Sequence, residues 1–485
     1  MDGREFHDAF LRMEGEMGLF EERVAGIRFW ERVRQTVRRR LQSALLKSQR
    51  PSSDSGDFRD DASFGRRMRR VLDAAHGVLE PLVERNPYLA GNREVLFFGH
   101  SRRILESDGT WWDPYCDPLV LNAPYRYFHL ERPRLRTHRR PVRTAEIGYT
   151  DVIEWSTRAY MKLPGDRIDL AWDERKLLTR IETEVEGTFG VDLDVQSIVE
   201  NRLAERRVGL VAYSALLARI DPEVAVVVPS LNKGDFIESC KRRDVPTVEL
   251  QHGLIDEGQP TYSYPTVDRE VAPFPDYYFT FSDAWTDYVR NRLDFPIPDD
   301  HIRTIGYRYV ESKFDDYPHR DGDDVLFISQ HFETLGRPLA RAAVDLAATL
   351  DGDRSVVYKL HPIEAEEDWK EKYPKLVDSR VEVIVDDDRE LYDLFAGSTV
   401  QVGVSSTALY EGLAWGLRTF VLDLPDAELF QRMDADWEIS VVESAEEIAE
   451  ALTTEPERTT AFDDVFAPNA VANFEAELDA IRRGG

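Results

Sequence analysis

Apolar residues occur in short runs, separated by helix-like segments, along residues 354–424. The runs VVYKL, VEVIV, TVQVGV and TFVLDL alternate with segments such as LYDLFAG and ALYEGLAWG. This alternation is typical of a parallel sheet whose strands are joined by helices. Together with the run VLFISQH at 325–331, it predicts a parallel α/β domain in the second half of the chain.

The same rhythm recurs nearer the start of the chain. The runs EVLFFGH (94–100), EVAVVVPS (223–230) and TVELQHG (247–253) predict buried strands, and the last two read as a parallel pair joined by a crossover helix. A long helical region is predicted at about 173–220. The stretch 123–165 is rich in Arg, Tyr and Pro and has no clear period.

Further elements follow toward the C-terminus. Residues 276–293 read as strand, turn and helix, and HIRTIGYRYVE (301–311) reads as a strand that ends in a glycine turn. The polar stretch FDDYPHRDGDD (314–324) is the best candidate for a linker between two domains. Helices are predicted at about 443–453 and 469–483.

Residues 1–50 predict helix, with a cationic amphipathic part over 27–50. The intervening positions are largely arginine, and the apolar positions, at three- and four-residue steps, are Ile27, Trp30, Val33, Val37, Leu41 and Leu45. Such a helix either lies on an anionic membrane surface or packs on the neighbouring domain with its arginines paired to acidic residues. The second alternative is favoured. Residues 51–62 predict a linker, and a helix is expected at about 66–85.

Charge and cysteine content narrow the possible partners. The 485 residues include 91 acidic and 62 basic side chains, so the net charge is −29. This surface repels nucleic acid and is typical of halophilic proteins. Cys116 and Cys240 support neither a disulfide framework nor a zinc site. With no apolar run of 18 residues and no signal-peptide core, we expect a cytoplasmic protein, with peripheral contact to the inner membrane face if the basic helix binds lipid.

Two strand ends in the second half carry side chains that suit an anionic ligand. VVYKL, which contains Lys359, runs into His361-Pro362, and TVQVGV runs into Ser405-Ser406-Thr407 before the helix ALYEGLAWG. Ligands of open α/β sheets bind beyond the carboxyl ends of strands, and helix N-termini favour anions. These residues predict a phosphate site. The alternative is that Ser406 or Thr407 only caps a helix and that His361-Pro362 is a turn.

These motifs resemble the C-terminal half of GT-B glycosyltransferases of the capsule polysaccharide, polysialyltransferase and CDP-glycerol glycerophosphotransferase type. The resemblance is good over 325–425 and looser over 93–310. It implies two Rossmann-like, doubly wound α/β domains that face each other across a cleft, with an N-terminal helical extension. The expected bounds are 1–62 for the extension and linker, 63–313 for the acceptor-side domain, 314–468 for the donor-side domain, and 469–485 for a last helix that packs back on the first domain.

The resemblance also implies roles for residues in the donor half. The His and the Ser/Thr residues of these motifs hold the donor phosphate in the family, which assigns that role here to His361, Ser405, Ser406 and Thr407, with Lys359 beside them. Glu411, one turn beyond Thr407, is assigned to the donor ribose. Ser329 and Gln330, at the polar end of VLFISQH, complete the expected nucleoside site.

Two motifs in the first half suggest acceptor-side chemistry. His252 ends the strand TVELQHG, and Asp256-Glu257-Gly258 resembles the acidic-acidic-Gly motif whose carboxylate is the general base of related sialyltransferases. His252, Asp256 and Glu257 are therefore alternative bases, although the carboxylates also fit a solvated turn. At the end of EVLFFGH, a further set suits an anionic acceptor: His100, Arg102 and Arg103.

The resemblance implies a metal-independent, inverting glycosyltransferase of surface polysaccharide biosynthesis. Its partners would be a nucleotide-activated sugar, with CMP- or CDP-linked donors favoured, and a glycan or lipid-linked acceptor. No cofactor and no metal are expected, because Asp386-Asp387-Asp388 reads as a helix cap rather than a metal motif. The alternatives are a CDP-polyol phosphotransferase of teichoic-acid type, a nucleotide-sugar 2-epimerase, and a non-catalytic binding protein with a decayed site.

Overall fold

The computed structural model of the chain describes most of its residues. The described residues are 3–49, 80–134, 137–163, 168–264, 267, 269–320, 322–350, 354–365, 368–385, 389–425, 427, 430, 437, 439–454 and 460–484. The predicted linker 51–62, most of the helix predicted at 66–85, and Asp386–Asp388 lie outside them.

The chain divides into two compact units. The first consists of Met1–Phe279, Arg292–Arg303 and Ala476–Gly485, and the second of Thr280–Asn291 and Thr304–Glu475. The chain thus passes between the units at residues 279–304 and 475–476 rather than at the predicted linker 314–324. The polar stretch contains one apolar residue that is packed within the second unit. The ring centroid of Phe314 lies 5.2 Å from that of Trp415 and 4.8 Å from that of Phe462.

A seven-stranded parallel sheet forms the centre of the first unit. Its strands are Val95–Phe98 (β1), Tyr127–Glu131 (β2), Ile147–Tyr149 (β3), Val224–Val227 (β4), Thr247–Leu250 (β5), Tyr277–Thr280 (β6) and Ile302–Thr304 (β7). Their spatial order is β7-β6-β5-β4-β1-β2-β3, with parallel pairing from β6 to β3. The chain winds outward from β1 in one direction and from β4 in the other. The sheet is therefore doubly wound, with its switch point between β1 and β4.

Helices cover the faces of this sheet. They are Gly3–Glu16 (α1), Trp30–Gln49 (α2), Asp117–Val120 (α3), Asp151–Tyr160 (α4), Trp172–Phe189 (α5), Val195–Ile220 (α6) and Gly234–Lys241 (α7). Two small antiparallel pairs join Arg23–Val24 to Ile27–Arg28 and Ile104–Leu105 to Trp111–Trp112. One core cluster packs β1, β2 and β4 against α6 and α7. Strands β1 and β4 are buried throughout, as expected for a parallel sheet covered on both faces.

The second unit is built on a six-stranded parallel sheet. Its strands are Asp324–Ile328 (β8), Val356–Lys359 (β9), Glu382–Ile384 (β10), Ser398–Gly403 (β11), Arg418–Leu422 (β12) and Ile439–Val442 (β13). The spatial order is β10-β9-β8-β11-β12-β13, and all five neighbouring pairs are parallel. This sheet is also doubly wound, with its switch point between β8 and β11.

The helices of the second unit are mostly short. They are Asp283–Arg292 (α8), Arg308–Asp316 (α9), Glu333–Thr349 (α10), Pro362–Ala365 (α11), Trp369–Lys372 (α12), Pro374–Val377 (α13), Leu391–Gly397 (α14), Thr407–Leu413 (α15), Ala445–Ala451 (α16) and Phe462–Val465 (α17). A last helix, Ala470–Arg482 (α18), ends in the first unit, where Arg482 pairs with Glu223 at 2.5 Å. None of the described helices is long and apolar enough to cross a bilayer.

The predicted fold class, two doubly wound parallel α/β sheets with an N-terminal helical extension, is confirmed. Four local predictions need correction. The helix predicted over residues 1–50 is two helices with a strand pair between them, because Ala25 and Gly26 form a tight turn at φ 51° and 73°. The helical region predicted at 173–220 is interrupted by Gly190 at φ 64°.

The other two corrections concern strands. The stretch 123–165, which had no clear period, contains β2, β3 and α4. Strand β2 could not be recognised as an apolar run, because it contains two buried polar residues, His129 and Glu131. The strand predicted over 301–311 is limited to β7, since Gly306 at φ 96° turns the chain and α9 begins at Arg308.

Helix α2 packs inside the first unit. Its apolar positions Trp30, Val33, Val37 and Leu41 are fully buried. Its arginines meet acidic residues, as Arg34 does with Glu14 at 2.7 Å. Since the apolar stripe is already covered by protein, this helix follows the packing alternative rather than the membrane alternative.

Candidate functional sites at the two switch points

The first candidate site lies at the switch point of the second sheet. Loops that follow β8 and β11 meet there, because Gln330 Nε2 donates a hydrogen bond of 3.0 Å to the Ser405 hydroxyl. Gln330 Oε1 is buried and has no hydrogen-bond partner among the described residues. A buried amide oxygen in this state favours a ligand that donates a hydrogen bond.

Two histidines lie beside this contact. The rings of His331, after β8, and His361, after β9, have centroids 5.0 Å apart. His361 Nδ1 accepts a hydrogen bond of 3.2 Å from the Ile363 N–H. In the neutral ring this leaves the proton on Nε2, where it can be donated to an anion. Lys359, the last residue of β9, is half-buried next to this histidine in the chain.

Ser406 performs the structural role that the sequence left open. Its hydroxyl accepts a hydrogen bond of 3.2 Å from the Ala408 N–H, so it caps α15. Ser405, Ser406 and Thr407 are all half-buried. The hydroxyls of Ser405 and Thr407 remain the better candidates for contact with a ligand.

Two of the predicted nucleoside residues have partners within the unit. Ser329 is buried, and its hydroxyl bonds to the Glu364 carboxylate at 2.6 Å and to the Tyr358 hydroxyl at 3.0 Å. These contacts favour a structural role for Ser329 over contact with a nucleoside. Glu411 is half-buried, and its Oε2 accepts a hydrogen bond of 2.9 Å from the Tyr392 hydroxyl.

Glu364 is the central residue that sequence reasoning missed. Its side chain is fully buried and accepts hydrogen bonds from Lys372 Nζ at 2.9 Å, from the Tyr373 hydroxyl, from Ser329 and from the His361 N–H at 3.1 Å. Burial alone would raise its pKa, but the hydrogen bonds outweigh this and lower it. The signal was present in His361-Pro-Ile-Glu364, where a carboxylate at the third helical position can bond back to the N-cap amide.

The second candidate site lies beyond the carboxyl ends of β1 and β5 in the first sheet. His100 follows β1 and His252 follows β5, and their ring centroids are 6.3 Å apart. The Tyr115 hydroxyl donates to the His252 carbonyl oxygen at 2.6 Å. His100 Nδ1 accepts a hydrogen bond of 3.0 Å from the Arg102 N–H, the same arrangement as at His361. The structure thus brings together two residues that the sequence assigned separately.

Both rings are uncharged near neutral pH. Burial, with the neighbouring positive charge of Lys233, lowers the pKa of His100 to about 4. Burial, with the charges of His100 and Lys233, lowers the pKa of His252 to about 3. His252 Nδ1 is buried without a hydrogen-bond partner among the described residues. A base with so low a pKa is weak, so His252 would need a bound anion beside it to take up a proton.

Lys233 and Glu249 are buried charged residues that act on each other's pKa, which the sequence did not reveal. Lys233 Nζ donates to the Val228 and Pro229 carbonyl oxygens at 2.5 and 2.9 Å. Burial lowers its pKa to about 7, against the opposing charge of Glu249. Burial likewise raises the pKa of Glu249, whose Oε1 accepts from the Tyr262 hydroxyl at 2.6 Å.

The predicted acceptor-facing arginines differ in position. Arg102 is exposed. Arg103 is buried, where it bonds to Glu131, to Asp117 at 3.1 Å and to Thr144 at 3.3 Å. Arg103 therefore belongs to the core of the unit and is withdrawn from the acceptor-facing set.

The carboxylate candidates lie in the loop after β5. Asp256 and Glu257 are both half-exposed. The charge of Asp256 acts on Arg38 of α2, whose pKa burial lowers to about 10. This places Asp256 toward the N-terminal extension, whereas His252 lies beside His100.

One buried group has the residue types of a metal site: Asp113, Cys116 and His129. Nε2 of His129 lies 3.6 Å from Asp113 Oδ2, and both ring nitrogens lack a hydrogen-bond partner among the described residues. Burial, together with the charges of Arg103 and Lys233, lowers the pKa of His129 well below its usual value. These two cations would also repel a metal ion, so the group does not suit one.

No protein-family model and no curated protein sequence matches the chain. It is similar to the solved UDP-GlcNAc 2-epimerase from Methanocaldococcus jannaschii, at 10% identity and a TM-score of 0.45, over 80% of this chain and 99% of that one. It is also similar to the Neisseria meningitidis UDP-GlcNAc 2-epimerase bound to UDP-GlcNAc, at 13% identity, TM-score 0.45, and 81% and 99% coverage.

The wall teichoic acid polymerase TagF is a third similar structure, at 11% identity and a TM-score of 0.42, over 87% of this chain and 99% of that one. Likeness at this level transfers neither substrate nor activity to the present chain.

Proposed function

We propose that this chain is an enzyme that binds a nucleotide-activated sugar at the switch point of its second sheet and transfers the sugar to a glycan or lipid-linked acceptor. The observation that supports this most is the hydrogen bond between Gln330 and Ser405. It joins the loops on the two sides of the switch point, which is where open α/β sheets bind ligands.

The side chains around that contact suit a phosphate. His361 offers an Nε2–H, Ser405 and Thr407 offer hydroxyls, and Lys359 supplies a positive charge. Hydrogen bonds from charged or strongly polar donors to phosphate are the strong kind. Because the protein supplies these donors itself, we propose a metal-independent reaction. Glu411 and Gln330 are proposed to contact the nucleoside, with CMP- or CDP-linked donors favoured.

The acceptor side is proposed for the first unit. His100, His252 and Arg102 are its candidate contacts, and His252, Asp256 and Glu257 remain alternative bases. Among these, His252 is supported by its position beside His100 at the sheet edge. Because its pKa is low, His252 would act as a base only when a bound anionic substrate raises that pKa.

Nucleotide binding tests the proposal. We expect the full chain, in buffer of constant high salt, to be stabilised against heat by one of CMP, CDP, UDP and GDP. At a nucleotide concentration 100 times Kd the stabilisation is about 2.7 kcal/mol. The His361→Ala variant should lose this shift. The matched control is His319→Ala, an exposed histidine in the same unit, which should keep it.

The outcome that would overturn the proposal is a folded wild-type protein that none of the four nucleotides stabilises. Product analysis then separates the possible reactions. A nucleotide-sugar 2-epimerase converts one nucleotide sugar without any acceptor, a CDP-polyol phosphotransferase releases CMP and extends a polyol phosphate, and a glycosyltransferase releases nucleotide only when an acceptor is present.

A further inference from the structure

A cavity of about 490 Å³ lies within the first unit, beside the N-terminal extension. Its walls come from α2, α4, α6, the start of α7 and nearby loops. Six of its lining residues are arginines: Arg32, Arg39, Arg40, Arg132, Arg158 and Arg202. Four carboxylates also line it: Glu31, Glu154, Glu205 and Asp235. The lining therefore has two more cations than anions, whereas the chain as a whole has a net charge of −29.

One carboxylate on α4 is shared by two arginines. Glu154 accepts a hydrogen bond of 2.9 Å from Arg132 Nε and another of 2.8 Å from Arg158. The single negative charge of Glu154 neutralises one of these guanidinium groups, so one positive charge remains. Arg132 also donates to the Asn232 carbonyl oxygen at 3.2 Å, which fixes it at the cavity wall.

The same shortage of carboxylates recurs at α7. Asp235 lies 2.6 Å from Arg202 and 3.8 Å from Arg32. Glu238, one turn later, pairs with Arg32 at 2.5 Å, with Arg242 at 2.8 Å and with Arg206. These two carboxylates therefore serve four arginines, and Glu205 adds only a longer contact of 3.6 Å to Arg202.

Of the arginines that the structure describes, Arg32 is the one that most clearly lacks hydrogen-bond acceptors. Its side chain is 3% exposed, yet its Nε and Nη1 groups have no hydrogen-bond partner among the described residues. Burial lowers the pKa of this guanidinium, against the opposing charge of Glu238. Donors that are buried without acceptors are costly, and a rearrangement of this side chain toward an anion in the cavity would supply the acceptors.

We propose that this cavity binds a ligand that carries a phosphomonoester or diphosphate group. Arginine forks match phosphate oxygens in geometry and charge, and the excess of arginines over carboxylates in the lining favours an anion such as phosphate. Four aromatic residues that are buried in the unit also contribute to the lining: Tyr213, Tyr264, Phe236 and Phe274. This site is separate from the proposed nucleotide site of the second unit and does not depend on it.

Calorimetric titration with inorganic pyrophosphate tests the proposal. The full chain carrying His361→Ala is used, so that the proposed nucleotide site does not contribute. We expect saturable binding at constant ionic strength, and we expect Arg158→Gln to weaken it at least tenfold. A second variant, Arg39→Gln, removes an exposed lining arginine that makes no ion pair with the described residues and should also weaken binding.

The control is Arg337→Gln. Arg337 pairs with Glu333 four residues away on α10 and is 55% exposed, while Arg158 pairs with Glu154 at the same spacing and is 58% exposed. It does not line the cavity, so binding should be unchanged. The proposal is overturned if pyrophosphate does not bind, or if the control weakens binding as much as Arg158→Gln does.

A second experiment, with lipid vesicles, distinguishes a lipid phosphate from a soluble phosphate ester. Flotation of the same protein with phosphatidic acid vesicles, and not with phosphatidylcholine vesicles, supports the site with a lipid headgroup as its natural ligand. Pyrophosphate binding without flotation supports the site with a soluble phosphate ester.

Discussion

The side-chain amide of Gln330 donates a hydrogen bond of 3.0 Å to the hydroxyl of Ser405. Gln330 follows β8 and Ser405 follows β11, so this contact spans the point where the winding of the second sheet reverses. It holds the amide plane of Gln330 in one orientation. Oε1, which has no hydrogen-bond partner in the described part of the chain, is thereby fixed as an acceptor at the place where a ligand is expected.

Removing the Ser405 hydroxyl should weaken nucleotide binding. Ser405→Ala deletes one proposed phosphate contact and also frees Gln330 to reorient. Loss of a hydrogen bond to a charged group costs about 1.5–3 kcal/mol, so we expect Kd to rise by a factor of about 10 or more. Calorimetric titration with the nucleotide that stabilises the wild type measures this.

Ser312→Ala is the control for that measurement. Ser312 lies in the same unit, and its hydroxyl bonds only to the Tyr309 carbonyl oxygen at 2.7 Å among the contacts described. It should leave Kd unchanged. Equal affinities of wild type and Ser405→Ala would remove Ser405 from the site.

Glu364 should be required for stability of the second unit. Its carboxylate is fully buried and accepts hydrogen bonds from four groups, including Lys372 and the His361 N–H. Glu364→Gln places an amide donor among these donors, and we expect a loss of about 3 kcal/mol in the free energy of unfolding at pH 7. Urea denaturation followed by tryptophan fluorescence measures it, and the exposed Glu333→Gln should change little.

The same variant should alter the acid sensitivity of the fold. The folded-state pKa of Glu364 is lowered from the ordinary 4.5, so its contribution is complete above pH 4.5 and is lost as pH falls below that value. The stability gap between wild type and Glu364→Gln should therefore narrow below pH 4.5. A gap that stays constant down to pH 3.5 would show that the carboxylate charge is not what stabilises the unit.

Substitution of the neighbouring residues Arg102 and Arg103 should change the free energy of unfolding by very different amounts. Arg103 is buried against Glu131 and Asp117, so Arg103→Ala leaves two buried carboxylates without their partner and should cost about 3–5 kcal/mol. Arg102 is exposed, so Arg102→Ala should change the free energy of unfolding by less than about 0.5 kcal/mol. Chemical denaturation of both variants measures these changes in the free energy of unfolding. Similar losses would contradict the assignment of Arg103 to the core.

The two sheets could be predicted from sequence because their strands are short apolar runs. Strands β8, β9, β11 and β12 each overlap one of the apolar runs that the periodicity identified, and polar residues after these runs predicted where a ligand site would lie. This worked because parallel strands buried on both faces allow few polar residues except at their ends. The contact between Gln330 and Ser405 joins two such ends.

Strand β2 and the roles of several charged residues could not be predicted. His129 and Glu131 are polar, and their burial depends on partners far away in the chain, such as Arg103. The same is true of Arg103 itself, which reads as an exposed cation until Glu131, 28 residues later, is seen beside it. Sequence periodicity reports which face of an element is apolar, but it does not report which buried polar residues pair.

His252, which follows β5, should make the free energy of unfolding decrease in mild acid. The ordinary pKa of histidine is 6.5, and burial with neighbouring positive charge lowers that of His252 to about 3. The unfolded chain therefore binds a proton below pH 6.5 that the folded chain does not, so stability declines as pH falls from 6.5 toward 3. For one such group the loss between pH 7.5 and 4.5 is roughly 2.7 kcal/mol.

The variant His252→Asn should reduce this decline, whereas His319→Asn, at an exposed position, should keep the wild-type pH dependence. Urea denaturation at pH 7.5, 6.0 and 4.5 measures both. A wild-type slope in His252→Asn would mean that the imidazole is already exposed to water in solution, and His252 would then lose its special position among the candidate bases.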